Sequence, residues 1–374
     1  MEKNRAIVAR VERAAIASPL SDEAEVIQKA GIELMDIDAG SEDEIIAKAR
    51  EADVIFTVRA VFTRHVFENL PKLQAVVRCG IGYDNIDVDA ATDNHVLVVN
   101  IPDFCFEEVS NHAIVLLMAC AKKLARMNHL LKTAGWGASR RIMEPMGSIW
   151  GQTIGIVGCG NIGRMTARKA QCFGLNVIGH DPYVDRNLAK ESGITLKSLP
   201  EVMGESDYVS LHPCLNQETF HLIGEKELHM MKPSAYLVNT SRGSVVDEPA
   251  LIRALRDKKI AGAGLDVFEK DPIDPDNPLL KMDNVIVTPH SAFYCDASFK
   301  RLRISVGEEA VRVAKGRRPK NVVNKEVKPK DQLGKRELVC LPSLNSLHCK
   351  EAGRDKISLT CKGRLRILPR GKAG

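Results

Sequence analysis

Three side chains suited to proton transfer and anion binding follow strand-like runs in the second half of the chain. Arg242 follows the run AYLVNTS, and His290 follows NVIVTP. Histidine exchanges protons near neutral pH, and the planar guanidinium of arginine binds carboxylate and carbonyl oxygens. Asp271 lies in LDVFEKDP, where a carboxylate could orient the imidazole and favour its protonated form. Because the carboxyl ends of parallel strands share one edge of a sheet, we predict that these residues form one site for acid–base chemistry.

A glycine-rich loop earlier in the chain predicts a dinucleotide site. The run TIGIVGCGNIG places Gly158, Gly160 and Gly163 in G-x-G-x-x-G spacing, after an apolar strand and before a helical segment. The first glycine allows a tight turn, the second lets the backbone approach a pyrophosphate, and the third lets the helix pack on the strand. Two other glycine pairs, at Gly80 and Gly262, lack the third glycine. Only the first motif therefore predicts a phosphate loop.

Asp181 indicates which dinucleotide this loop would bind. It ends the next apolar run, LNVIGHD, 18 residues after Gly163. A carboxylate at that place accepts hydrogen bonds from the adenosine ribose and repels a 2′-phosphate. The sequence therefore predicts NAD rather than NADP. An NAD site combined with an acid–base site predicts hydride transfer.

Alternating strands and helices must position these residues. The first hundred residues alternate β-branched runs with polar helical stretches, which is the rhythm of a βαβ sheet. A long helix is predicted over residues 107–131, and a second series of six strands begins at Thr153. Another helix, over residues 300–314, leads to GRRPKNVVN, which we expect to return to the first domain. The first domain is then discontinuous in sequence.

Composition and charge limit the possible classes of protein. The chain has 374 residues, 44% of them hydrophobic and 27% charged, which is typical of a folded globular protein. The nine-residue apolar run from Ala113 is too short to cross a membrane. With 5% aromatic residues, no base-stacking nucleic-acid surface is expected. The start of the chain lacks the pattern of a secretory signal, and the ten cysteines contain no C-x-x-C pair, so we expect a cytoplasmic protein without a metal site.

The motifs together resemble the D-isomer-specific 2-hydroxyacid dehydrogenases. The likeness rests on the glycine loop and on VNTSRGSVVDE, GLDVFEKDP and TPHSAFY, and it covers roughly residues 50–324. It implies reversible hydride transfer between NAD(H) and a small 2-hydroxy or 2-oxo acid of the hydroxypyruvate, glyoxylate or phosphoglycerate type. It also implies a homodimer.

The resemblance implies an α/β fold in which a Rossmann NAD-binding domain is inserted into a flavodoxin-like, discontinuous substrate domain. We expect the Rossmann domain over residues 104–292 and the substrate domain over residues 1–103 and 293–330. The segment 331–374 contains ten Lys and Arg against four Asp and Glu, and we expect a disordered basic tail there.

Site residues follow from the same resemblance. Arg242 and His290 match the catalytic positions, and the acid just before a proline is here Asp271, where the family usually has glutamate. Aspartate is shorter by about 1.5 Å, so Glu269 remains an alternative partner for His290. Further residues implied to bind the cofactor, beside the three loop glycines and Asp181, are Asn161, Ile162, Pro213, Thr240 and Asp266. Those implied to bind the substrate are Arg59, Arg78 and the backbone of Cys79, Gly80 and Ile81.

A binding protein is the alternative to an enzyme. The runs LHPCLN and HSAFY are closer to the C-terminal-binding-protein branch, which includes NADH-responsive co-repressors. The presence of Arg242 and His290 favours the enzyme.

Overall fold

Two parallel β-sheets organise the chain in the computed structural model, which describes residues 6–13 and 20–330. The first sheet contains β1 (Ile7–Glu12), β2 (Glu33–Asp38), β3 (Val54–Thr57), β4 (Ala75–Arg78) and β5 (Leu97–Val99). Its spatial order is β2-β1-β3-β4-β5. This is the order of a flavodoxin-like sheet.

The second sheet contains seven parallel strands. They are β6 (Thr153–Val157), β7 (Asn176–His180), β8 (Thr195–Leu196), β9 (Tyr208–Leu211), β10 (Tyr236–Asn239), β11 (Gly262–Leu265) and β12 (Val285–Val287). Their order is β12-β11-β10-β9-β6-β7-β8. This is the Rossmann order with one additional strand, and the order reverses between β6 and β9. Ligands of such sheets bind at the carboxyl ends of the strands beside that reversal.

Twelve α-helices lie within the described residues. They are α1 (Asp22–Lys29), α2 (Glu42–Lys48), α3 (Arg64–Asn69), α4 (Val88–Asp93), α5 (Phe106–Ala121), α6 (Leu124–Arg141), α7 (Asn161–Cys172), α8 (Arg186–Glu191), α9 (Leu199–Glu205), α10 (Glu225–Met230), α11 (Glu248–Arg256) and α12 (Asp296–Ala314). Short 3₁₀ turns occupy Gly243–Val245 and Pro278–Lys281. Over the part of the chain that the structure describes, no helix is both long and apolar enough to span a membrane.

Two helices carry the chain between the sheets. The buried face of α5 packs on the second sheet, with Leu116 and Leu117 in one apolar cluster with Ile154. The helix α12 packs on the first sheet, in a cluster that contains Val306 and Val54. The strands of both sheets are rich in buried Val, Ile and Leu, as expected when helices cover both faces of a parallel sheet.

The chain then returns to the edge of the first sheet, as predicted. The N–H of Val323 donates to the carbonyl of Val98 at 2.8 Å, and the Asn324 side chain accepts from the N–H of Val98 at 2.9 Å. The architecture of one domain inserted into another is therefore confirmed. We propose the predicted domain limits, with each sheet as the core of one domain.

Several local predictions differ from the structure. The helix predicted over residues 107–131 is broken, because Lys123 has a left-handed φ of 50° between α5 and α6. Two strands were not predicted. The sequence of β2, ELMDID, alternates with charged residues, and β8 has two residues. The predicted tail, residues 331–374, lies outside the described residues.

The helix α6 has no buried residue. Its exposed side chains nevertheless include Leu124, Leu131 and Trp136, of which Trp136 is 68% exposed. Isolated exposed apolar residues are normal, but several on one helix indicate a contact surface.

Candidate active site

The phosphate loop joins β6 to α7 at the reversal of strand order. Gly158 has a left-handed φ of 88°, and a Cβ atom there would lie 2.6 Å from the backbone nitrogen of Pro213. A Cβ atom on Gly163 would lie 2.0 Å from the carbonyl oxygen of Gly158, so only glycine permits this contact of helix and loop. At Gly160, by contrast, a Cβ would meet nothing within 4 Å. The loop therefore has open space on the side where a diphosphate would approach, next to the backbone N–H groups that begin α7.

Asp181 ends β7 and is bonded to this loop. Its carboxylate accepts hydrogen bonds from the backbone N–H groups of Cys159 at 2.8 Å, Tyr183 at 2.9 Å and Val184 at 3.0 Å. The acid is thus fixed beside the phosphate loop, where an adenosine ribose is expected. Burial raises the pKa of the neighbouring Cys159 thiol to about 12, so this thiol stays protonated at neutral pH.

Two buried polar atoms at the same edge of the sheet lack a protein partner. Thr240 Oγ1 follows β10 and His212 Nδ1 follows β9, and neither atom has a hydrogen-bond partner among the described residues. Burial lowers the pKa of His212 to about 3, so its imidazole is neutral. Buried polar groups usually find a partner, and a bound dinucleotide would supply one. The residues at this edge therefore fit NAD.

The remaining predicted cofactor residues of the loop region make protein contacts. Asn161 Oδ1 accepts from the Arg164 guanidinium at 2.7 Å. Ile162, in the first turn of α7, packs against the apolar cluster of the first sheet. Pro213 borders Gly158. Their contacts with NAD stay a prediction.

His290 and Asp271 form a close pair. The distance from His290 Nδ1 to Asp271 Oδ2 is 2.6 Å. The hydrogen bond from His290 is the main cause that lowers the pKa of Asp271 below its usual range; partial burial opposes it, and the cationic Arg59 and Arg242 contribute to the lowering. The shorter aspartate therefore does reach the imidazole, and its carboxylate is surrounded by positive charge.

Glu269, the alternative acid, lies elsewhere. Its Oε1 atom is 2.7 Å from His221 Nε2 and accepts the backbone N–H of Glu248 at 3.1 Å. Of the two acids considered from the sequence, Asp271 is the one that contacts His290.

Asp266 holds the turn that carries His290. Its carboxylate is fully buried and accepts the N–H groups of Ser291 at 2.9 Å and Ala292 at 2.8 Å. Its carbonyl oxygen accepts the N–H of His290 at 2.8 Å. This turn gives His290 a left-handed φ of 53°. In this structure Asp266 supports the turn of His290, and its contact with NAD stays a prediction.

Two guanidinium groups lie against the glycine loop that follows β4. A Cβ atom on Gly80 would lie 1.6 Å from Arg78 Nη1, and one on Gly82 would lie 1.8 Å from Arg242 Nη2. Arg242 Nε also donates to Asp84 Oδ1 at 2.9 Å. Burial would raise the pKa of Asp84, but the charge and hydrogen bond of Arg242 outweigh this and lower it. The loop thus brings Arg242, from the second sheet, against the first.

Arg78 is a cation without a carboxylate partner among the described residues. Its Nη1 donates to the Cys79 carbonyl at 2.7 Å, and its buried Nε has no partner. Burial, and to a smaller extent the nearby charge of Arg242, lower its pKa to about 10. An anionic ligand would complement this group.

The backbone of this loop differs in part from the prediction. Cys79 donates its N–H to the Thr57 carbonyl at 2.8 Å, and Gly80 donates to the Arg78 carbonyl at 2.9 Å, because the chain continues the strand and then turns tightly. Both N–H groups are thus used within the protein. Ile81 is the remaining predicted backbone donor.

Arg59 lies on the turn after β3. The buried carboxylate of Glu12 accepts the backbone N–H groups of Val58 at 2.8 Å and Arg59 at 3.0 Å. Arg59 is exposed, and its charge acts on Asp271 across the two sheets.

Several residues of this site were not identified from the sequence. Glu12, Gly82 and Asp84 position the arginines described above. Gly82 and Asp84 lie in the run RCGIGYDNID, which begins with the predicted substrate residue Arg78. No sequence spacing connects them with Arg242, which is 158 positions from Asp84.

The sequence matches proteins of known families. Residues 114–292 match the family model described as D-isomer specific 2-hydroxyacid dehydrogenase, NAD binding domain. The glyoxylate reductase of Korarchaeum cryptofilum is 40% identical over 77% of this chain and 87% of the relative. The D-3-phosphoglycerate dehydrogenase of Methanocaldococcus jannaschii is 37% identical over 79% of this chain and 56% of the relative.

Solved structures give the same result. A glyoxylate reductase from Paecilomyes thermophila aligns with a TM-score of 0.76 and 27% identity, over 86% of this chain and 99% of that one. A D-lactate dehydrogenase from Aquifex aeolicus, complexed with NAD and lactic acid, aligns with a TM-score of 0.74 and 29% identity, over 85% and 99% of the two chains. These relatives are enzymes, which supports the enzyme over the co-repressor-like alternative. The chain belongs to the D-isomer-specific 2-hydroxyacid dehydrogenase family and is an NAD-dependent oxidoreductase that acts on the CH–OH group of its donors.

Proposed function

We propose that Arg242, Asp271 and His290 catalyse the interconversion of a small 2-oxo acid and its D-2-hydroxy acid. The observation that carries this proposal is the 2.6 Å contact between His290 and Asp271, with Arg242 close enough to influence the same carboxylate. NAD(H), when bound, accepts or supplies the hydride. The acid–base chemistry is left to the protein.

Each residue of the proposed site has a distinct role. Since Nδ1 of His290 faces Asp271, Nε2 is the atom that would donate a proton to the substrate oxygen during reduction and remove it during oxidation. Asp271 fixes the tautomer and stabilises the imidazolium. Arg242 uses Nε for Asp84 and Nη1 for the Ser241 carbonyl. Nη2 remains to bind the substrate oxygens and polarise the carbonyl.

The substrate is proposed to be of the glyoxylate, hydroxypyruvate or phosphoglycerate type. The named activities of the relatives support this class. Within this chain, Arg59, Arg78 and Ile81 would bind anionic groups of the substrate, because they border the reacting site from the side of the first sheet.

A panel of 2-oxo acids with NADH, followed by the decrease of NADH absorbance, tests the proposed function. We expect turnover with at least one of glyoxylate, hydroxypyruvate and phosphohydroxypyruvate. Arg242→Ala and His290→Ala should each lower kcat/KM by about 100-fold or more. Arg253→Ala, a change in an exposed arginine of α11, is the matched control. Undiminished turnover in both site variants would refute the assignment.

We also propose a homodimer in which α6 contacts a second copy of the chain. The support is the exposed apolar surface of Leu124, Leu131 and Trp136 on a helix without buried residues. Sedimentation should give a dimer for the natural chain and a monomer for Trp136→Glu. A monomeric natural protein would contradict this proposal.

We further propose a cytoplasmic location. The seven described cysteines are free, which supports a reducing compartment.

A further inference from the structure

A hydrogen-bonded chain runs from the crossover helix α5 to the turn that carries His290. His112 of α5 has its Nε2 atom 2.9 Å from Thr288 Oγ1 and 3.5 Å from Asp266 Oδ1. Thr288 Oγ1 in turn donates to Asp266 Oδ1 at 2.5 Å. Asp266 then binds the backbone N–H groups of residues 290–292. The side chain of His112 therefore touches the far end of the network that shapes this turn.

The network fixes the tautomer of His112. The carboxylate of Asp266 only accepts hydrogen bonds, so the Thr288 hydroxyl must donate its proton to it. Thr288 Oγ1 can then only accept from His112, which requires a proton on Nε2. This hydrogen bond orients the hydroxyl, and the hydroxyl in turn holds one carboxylate oxygen in place.

That carboxylate holds the turn of His290 through the N–H groups of Ser291 and Ala292, while the N–H of His290 itself donates to the backbone carbonyl of Asp266. The turn from β12 gives His290 a left-handed φ, which is unfavourable for a residue with a Cβ atom. The turn keeps this conformation because Asp266 binds its successive N–H groups. A donor that holds Asp266 therefore acts on the direction of the His290 imidazole, although His112 does not contact His290 in the described hydrogen bonds.

We propose that His112 is a positioning residue for proton transfer, acting on His290 through Thr288 and Asp266. This inference rests on the proposed catalytic role of His290. It also connects α5, the helix by which the chain enters the second sheet, to the reacting group. Small displacements of a catalytic group cost large factors in rate. Removal of the His112 donor should therefore lower kcat with little effect on KM.

The amide side chains offer a matched pair of variants. The nitrogen of glutamine can occupy the place of His Nε2, whereas asparagine is too short and reaches only the place of Nδ1. We expect His112→Asn to lower kcat by about 10-fold to 100-fold and to leave KM for NADH and for the 2-oxo acid within about twofold. His112→Gln should restore most of the loss. His229→Leu, at an exposed position of α10, is the control and should leave kcat unchanged.

A double variant separates positioning from general damage. Thr288→Val removes the hydroxyl that links His112 to Asp266. The double variant combines Thr288→Val with His112→Asn, and both changes interrupt the same series of hydrogen bonds. The fold-loss of kcat in the double variant should therefore be close to that of either single variant, rather than the product of the two losses. Equal losses in His112→Asn and His112→Gln, or a multiplied loss in the double variant, would overturn the proposal.

A measurement without turnover distinguishes this proposal from the proposed function. In ¹⁵N-histidine NMR spectra of the free protein, His112 should show a protonated Nε2. The His290 ring signals should shift in His112→Asn and stay near their original positions in His112→Gln. A natural protein that is inactive on every 2-oxo acid would refute the proposed function. These spectra would still show whether His112 acts on His290 through Thr288 and Asp266. His290 signals that do not shift in His112→Asn would overturn the proposed positioning role of His112.

Discussion

Replacing Arg78 by methionine should make the ligand-free protein more stable. Burial and the charge of Arg242 lower the pKa of Arg78 well below its ordinary value, to about 10. The folded state therefore disfavours the charged guanidinium at every pH below about 10. This cost disappears only at a pH above the ordinary pKa of arginine, where the guanidinium is neutral in both the folded and the unfolded protein. At about 1.4 kcal/mol for each pKa step, the penalty at neutral pH is about 3 kcal/mol.

Part of the stability gained by removing the guanidinium is lost again, because the side chain also makes a favourable contact. The hydrogen bond from Arg78 to the Cys79 carbonyl would disappear, and such a bond from a charged group contributes about 1.5 kcal/mol. The methionine stem still fills the space of the arginine stem. We therefore expect the free energy of unfolding in urea at pH 7 to rise by about 1 to 2 kcal/mol, together with a KM for the 2-oxo acid about tenfold higher or more.

The control is Arg59→Met, at the exposed arginine of the same site. Its free energy of unfolding should change by less than about 0.5 kcal/mol. A ligand-free Arg78→Met protein that is less stable than the natural one would refute the reasoning, because the partly buried guanidinium would then be satisfied within the protein.

Three further predictions concern the same site. Asp271→Asn should lower kcat about 100-fold, whereas Glu269→Gln, the matched control, should leave it near its original value; equal losses would contradict the pairing described above. Asp181→Ala should raise KM for NADH and lower the preference for NADH over NADPH, measured as the ratio of kcat/KM; an unchanged ratio would contradict its role. Iodoacetamide at pH 8, with the sites resolved by mass spectrometry, should label the exposed Cys214 and spare Cys159, whose thiol has its pKa raised by burial; rapid labelling of Cys159 would show an open loop.

The sequence predicts those features that depend on local spacing. The phosphate loop is predictable because three glycines have separate steric reasons for their places, and Gly163 has no room for any side chain. Six of the seven strands of the second sheet are predictable because each is a run of mostly apolar residues, whereas the two-residue edge strand β8 is too short to give such a pattern. The return of the chain near Asn324 is predictable because a helix and a short polar run precede it.

Other features depend on contacts across the fold. The sequences on both sides of the break at Lys123 are helical, so the sequence alone does not reveal the break. The two helices differ in their packing, because α5 has a buried face and α6 has no buried residue. The choice between Asp271 and Glu269 depended on where His221 lies, since it takes the second acid. Asp84 meets Arg242 only because two sheets face each other. No periodicity within one segment contains this information.

The double crossing between the sheets constrains how the site can open. The chain passes between them at residues 100–105 and 288–295, and Arg301 ties the two crossings by donating to the Phe104 carbonyl and to Glu108, each at 2.9 Å. Two linked crossings define an axis, so a rotation of one sheet against the other turns about this line. His290 lies in one crossing, and the loop that follows β4 is bonded to the other, since the N–H of Ile101 donates to the Gly80 carbonyl at 2.9 Å. Both therefore lie near this line. Opening for substrate exchange would then change the space between the sheets while His290 and the loop that follows β4 keep their places at the two crossings.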